Sequence, residues 1–119
     1  MTDITGFGLL GHACEMAQAG KVNFRFAIDR LAWLPGAIEY GQADIFPGGT
    51  AVNRQHFAPS VTFADSVNPV LQNLLWTPET SGGLLVALAA ETVATYQAHC
   101  PSAIIVGEVV AGNGSLEVG

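Results

Sequence analysis

Basic residues are what this chain has least of. Lys21, Arg25, Arg30 and Arg54 are the only ones among 119 residues, against ten acidic residues, which leaves a formal charge of −6. Four cations spread this thinly supply no electrostatic footprint for nucleic acid or for an anionic membrane, and a polyphosphate would be repelled unless metal ions came with it. Cysteine is scarce as well. Cys14 and Cys100 match neither a CxxC motif nor a zinc spacing, so each reads as a small buried hydrophobe in preference to half of a disulfide. No apolar run approaches the ~20 residues of a membrane-spanning helix; the longest, Leu84 to Ala90, has the length of a strand. The first residues lack the basic and then apolar segments of a signal peptide, and a cytoplasmic location is expected.

What is present is hydrophobic material in quantity. Half of the residues are apolar and 12% are charged, far from the signature of disorder. A chain of this length can bury roughly two thirds of its unfolded surface, so residues 1–119 are expected to form one domain that needs no staple. Leu9, Leu10, Ala13, Met16 and Ala17 recur at three- and four-residue intervals and predict a helix from Phe7 to Ala19, stopped at Gly20. Val22, Phe24, Phe26 and Ile28 alternate with other residues as a half-buried strand does. A short helix is expected after Pro35, through about Ala43, and another from Pro69 through Trp76. The stretch from Phe46 to Asn68 breaks every period and reads as a long loop with a little helix near Asn53. Leu84 to Leu88 reads as a strand covered on both faces, Ala90 to His99 as a helix, and Ala103 to Val110 as a strand joined to Leu116–Val118 by a hairpin at AGNGS. This mixture favours helices packed on a mixed sheet, an α+β domain.

Three segments could carry chemistry. In TDITGFG, Gly6 and Gly8 permit close backbone approach, the following helix aims unpaired amides outward, and Asp3 and Thr5 add oxygen ligands beside it. A carboxylate next to phosphate-binding amides suits a magnesium-bridged nucleotide, although Asp3 or Thr5 capping the helix is the simpler structural reading. In PGGTAVNR, a glycine turn at Gly49 precedes Thr50, Asn53 and Arg54, which suits phosphate or ribose as well as it suits an ordinary turn and helix start. In PETSGG, Thr80 and Ser81 could donate to a ligand, yet glycines ahead of a covered strand also arise where backbones cross closely. His12 and His56 read as hydrogen-bonded structural residues, since neither has a Ser or Cys in a convincing arrangement. Trp33 and Trp76 read as core or interface anchors.

Taken together and in order, TDITGFGLLGH, LPGA, PGGTAVNR, TPETSGGLLVAL and AIIVGEV span nearly the whole chain, and they resemble the C-terminal domain of the selenophosphate synthetases (selenide, water dikinases). The wider superfamily holds aminoimidazole ribonucleotide synthetase and its relatives. The resemblance implies a three-layer α/β/α domain with a mixed sheet, partly ferredoxin-like. It also implies an activity that converts selenide, ATP and water to selenophosphate, AMP and phosphate with Mg2+. By that resemblance Asp3 is a magnesium ligand; by their position in the three segments, Thr5, Gly6, Gly49, Thr50, Asn53 and Ser81 are the expected nucleotide contacts. The family's glycine-rich N-terminal segment, with its reactive Cys or selenocysteine and neighbouring Lys, has no counterpart here. The chain therefore reads as a C-terminal domain separated from its N-terminal catalytic partner and inactive alone, the full enzymes being homodimers. A related ribonucleotide synthetase or kinase domain, or an interaction module that kept the fold without the chemistry, are the other readings of the same residues.

Overall fold

The computed structural model describes residues 1–119. A two-residue strand, β1 (Thr2–Asp3), leads directly into the longest helix, α1 (Gly8–Gly20). Strand β2 (Val22–Phe26) follows, then a 3-10 turn at Ile28–Arg30, helix α2 (Ala37–Gln42) and helix α3 (Gly48–Phe57). Strand β3 (Val61–Phe63) precedes helix α4 (Pro69–Leu75), strand β4 (Leu84–Leu85), helix α5 (Val93–His99), strand β5 (Gly107–Ala111) and strand β6 (Leu116–Val118). Two sheets result, an antiparallel β1–β4 ribbon and a four-stranded mixed sheet in the order β3-β6-β2-β5. The α+β class expected from the sequence, with helices on a mixed sheet, is what the chain forms.

The core lies where α1 crosses the larger sheet. Leu10, Ala13 and Ala17 of the stripe seen in the sequence, together with Cys14, meet Phe24 and Phe26 of β2 and Leu116 and Val118 of β6, while Leu9 and Met16 of that stripe pack at its edge. Phe57, Leu75 and Trp76 close the cluster from α3 and α4, so Trp76 is the core anchor that its size and polarity suggested. The opposite face of β2 and its neighbours is polar. Arg25 reaches Glu117 at 2.9 Å and Glu108 at 3.5 Å there, with all three side chains at least half exposed.

Several sequence expectations are corrected. The stretch from Phe46 to Asn68 is no long loop: ten of its residues form α3 and three form β3. Its buried positions Thr50, Asn53 and Phe57 recur at three and four residues, but two of the three are polar, so an apolar periodicity could not reveal them. The helix α1 runs one residue past the predicted stop, and Lys21, at φ 51°, takes the left-handed capping position assigned to Gly20. The run Leu84–Leu88 is not a doubly covered strand; only Leu84–Leu85 pairs, and Leu84 is 62% exposed. The second late strand begins at Gly107, not Ala103, leaving Ile104 and Ile105 exposed.

The predicted hairpin is also replaced. β5 and β6 do not pair with each other; each lies beside β2, β5 antiparallel and β6 parallel. The connecting turn crosses the start of β2, where Asn23 Oδ1 accepts the N–H groups of Asn113, Gly114 and Ser115 at 2.9, 3.2 and 3.0 Å. A side-chain cap from a residue 90 positions earlier replaces the local bonds of a hairpin. Turn composition alone cannot distinguish the two, because both need residues that tolerate unusual backbone angles.

Candidate functional site

The segment TDITGFG covers β1 and the bend into α1. Directly opposed residues of an antiparallel ribbon share a face, so Asp3 lies with Leu84 and Thr2 with Leu85. Leu85 packs against the core, and the alternation therefore sends Asp3 outward. Its carboxylate is exposed and makes neither a hydrogen bond nor an ion pair. Helix α1 opens at Phe7 with no side-chain cap and no acidic residue in its first turn. The capping role that the sequence left open to Asp3 and Thr5 is thus taken by neither.

Backbone bonds join this elbow to PETSGG. Ile4 N–H donates to the Gly83 carbonyl at 2.9 Å and Gly82 N–H to the Ile4 carbonyl at 2.9 Å. The Thr5 carbonyl accepts Glu79 N–H and Gly8 N–H, both at 3.0 Å. PGGTAVNR arrives from behind as the first two turns of α3. Asn53, 6% exposed, donates through Nδ2 to the carbonyls of Gly6 and Trp76, each at 2.9 Å. Thr50, equally buried, donates to Thr77 Oγ1 at 3.2 Å, and Thr77 donates onward to the Asn73 carbonyl at 3.1 Å. Gly49 lies so close to Pro78 that a Cβ there would stand 2.6 Å from the proline Cγ. Three segments separated by up to 70 residues in sequence thereby meet in one place.

Within that place the predicted residues divide by depth. Asp3, Gly6 and Ser81 are exposed, Thr5 and Gly49 partly so, and Thr50 and Asn53 lie buried beneath them with their donors spent on holding the loops together. Arg54 turns away from the elbow to Asn73 Oδ1 at 3.2 Å. The two elbow glycines differ as well. Gly8 has φ +68°, and a Cβ would meet the Thr77 carbonyl oxygen at 2.8 Å, whereas nothing lies within 4 Å of a Cβ at Gly6. Gly8 is required for the close packing of chain on chain, and Gly6 leaves open space at the surface.

Two residues stand out that sequence reasoning did not place in the site. His12 Nε2 lies 3.0 Å from Thr5 Oγ1 and accepts Phe7 N–H at 3.4 Å, while Nδ1 faces Glu15 Oε2 at 3.3 Å. It is the hydrogen-bonded structural residue expected, but its partners are the elbow itself. The chain has to bend back for Thr5 to meet a residue seven positions later, and no spacing rule announces that. Glu79 rests its carboxyl against Gly82, and burial raises its pKa above the usual carboxylate range. No group of three or more His, Cys, Asp or Glu residues is gathered anywhere in the chain. A cation at the elbow would therefore find a single free carboxylate here.

A family model described as AIR synthase related protein, C-terminal domain, matches residues 1–119. The chain belongs to that family. Among its relatives, the selenide, water dikinase of Paraburkholderia xenovorans is 38% identical across 99% of this chain, and that of a Geobacter strain is 38% identical across 96%. The selenide, water dikinase of Clostridioides difficile is 40% identical across 76%. The alignments cover 35%, 34% and 26% of those proteins, so the AIR synthase related domain described here spans about a third of the length of the relatives it matches. The family assignment agrees with the resemblance carried by TDITGFGLLGH and PETSGGLL.

Proposed function

We propose that this chain acts as the C-terminal domain of a selenide, water dikinase, which makes selenophosphate from selenide, ATP and water with release of AMP and phosphate. The observation that carries the reading is the elbow: an outward, unpartnered Asp3 beside an uncapped helix start, in a domain whose relatives are selenide, water dikinases. The residues fit magnesium. A free carboxylate is the donor Mg2+ prefers, and no Lys or Arg is bonded to the elbow to compete for it. Asp3 would hold the ion, which when bound supplies the charge that lets phosphates lie against an acidic protein. The start of α1, which no side chain caps, would turn its positive dipole end toward a phosphate oxygen, with Gly6 giving it room to approach. Ser81 and Gly49 border the same surface, while Thr50 and Asn53 support it from beneath.

In this reading the N-terminal part of the enzyme brings the remaining cation ligands, the nucleotide and the selenide-reactive group, and full-length enzymes pair as homodimers. The domain alone is then inactive and binds ATP with Mg2+ weakly. Titration calorimetry of this chain with both should give little heat, and tight binding would show that no further domain is needed. Joined to an N-terminal dikinase half, the chain should support selenide-dependent AMP formation, and Asp3→Asn should remove most of it. Full turnover by Asp3→Asn would end the reading.

A further inference from the structure

We propose that His12 fixes the Thr5 hydroxyl so that it faces a ligand only as an acceptor, which makes Thr5 a partner for the cation at Asp3 and not for a phosphate oxygen. The cation half of this statement rests on the functional reading above; the hydroxyl orientation does not. A backbone N–H can only donate, so the Phe7 amide, 3.4 Å from His12 Nε2, requires that nitrogen to accept. The ring proton then belongs on Nδ1, which faces Glu15 Oε2 at 3.3 Å. With Nε2 accepting, Thr5 Oγ1 at 3.0 Å has to donate its single proton inward.

The other protonation states fit less well. A ring protonated on Nε2 alone would strand the Phe7 amide and set the Nδ1 lone pair against the Glu15 carboxylate. The imidazolium would satisfy Glu15 but still strand Phe7, whose amide makes no other bond. The ring is not free to turn away either. Its side chain is 12% exposed and lies against Phe7, with centroids 5.2 Å apart.

Once its proton is committed, Thr5 shows lone pairs to the outside. Phosphate oxygens are acceptors too and would be repelled; a divalent ion or its bound water would not. Thr5 also lies on the side of Asp3. The two are two residues apart along a segment still paired with Gly82 and Gly83, and Ile4 between them is buried at 4%. His12 is thus a positioning residue: it acts on the ligand only through the rotor of Thr5.

Long-range proton–nitrogen NMR on this chain tests the orientation directly. A proton on Nδ1 and a bare Nε2 are expected; a proton on Nε2 would overturn the inference and leave the role of Asp3 standing. Mn2+ at millimolar concentration serves as the probe for the second half. It should broaden the Asp3 and Thr5 amides, about fivefold more weakly by affinity in Thr5→Val, with affinity restored in Thr5→Ser. His12→Phe, which frees the hydroxyl rotor without removing it, should weaken Mn2+ binding less than Thr5→Val, and the double variant should match Thr5→Val. Metal-free tripolyphosphate binding in a Thr5-dependent manner would overturn the proposal. With Nδ1 protonated but Asp3 indifferent to Mn2+, the functional reading fails, and the cation role of Thr5 with it.

Discussion

Asn53 illustrates how a residue can matter to a site without facing a ligand. Its two amide protons serve the carbonyls of exposed Gly6 and buried Trp76, both 2.9 Å away, and the Trp76 carbonyl has no water to turn to. Asn53→Ala should cost roughly 2–3 kcal/mol, two lost bonds plus the buried Trp76 carbonyl left partly unsatisfied. Asn53→Asp should cost more, because it sets a carboxylate against the two carbonyls. Urea unfolding ranks the two variants, and an aspartate variant as stable as the alanine one would contradict the assignment. The elbow glycines give a second contrast. Gly8→Ala should destabilise by at least ~2 kcal/mol, since both its backbone angle and the facing Thr77 and Trp76 backbone oppose a Cβ. Gly6→Ala should change stability by no more than about 0.5 kcal/mol, so any effect on nucleotide use would be specific to the site. The motif TGFG showed both glycines but could not separate them, because the difference lies in the backbone of Leu75 to Thr77, which stands opposite Gly8 and not Gly6.

Among the elements, the connection from β5 to β6 departs furthest from a local reading. It passes over the first residues of β2 because β2 occupies the place between the two strands, and Asn23 gathers three successive amides of the turn. A Cβ at Gly112 would collide with the Asn23 side chain, so the turn is fitted to that side chain. Asn23→Ala should raise hydrogen exchange at Asn113, Gly114 and Ser115 by tenfold or more while leaving α1 amides protected, in keeping with roughly 1–2 kcal/mol of local stability. Equal protection in the variant would show the turn to be held by other means. The helices α1 and α4 were legible because apolar stripes and boundary residues agree there. Asn68 accepts Val70 N–H at 2.8 Å as a cap, and Pro69 takes the first helical position. The helix α3 was not, because the face it buries includes Thr50 and Asn53, used for hydrogen bonds.

For the molecule as a whole, one buried thiol links the core to pH. Cys14 sits between α1 and the sheet, and burial first, the Glu15 charge second, pushes its pKa from 9.0 up to about 12. The unfolded chain ionises this thiol near pH 9 and the folded chain keeps its proton to about 12, so over that window the unfolded state binds fewer protons. Stability contributed by the neutral thiol is complete below pH 9 and declines as pH rises toward 12. Urea midpoints measured upward from pH 8 should fall more steeply in the unmodified protein than in Cys14→Ala, and parallel slopes would refute the assignment. Folding also sets the surface charge. The polar outer face of the sheet carries Arg25 between two glutamates, leaving few basic side chains to meet an anion.

The sequence by itself determined the domain class, the α1 stripe and the β2 alternation that form the core, the shortage of cationic surface, and the three segments that mark the family. These are properties of local periodicity and composition, which a chain carries whether folded or not. Only the tertiary structure decided that the three segments converge, that Asp3 faces outward, that Asn53 and Thr50 work from beneath, and that His12 holds Thr5. Each depends on which residues far apart in the chain become neighbours, and side-chain hydrogen bonds between such neighbours leave no period for a sequence to display.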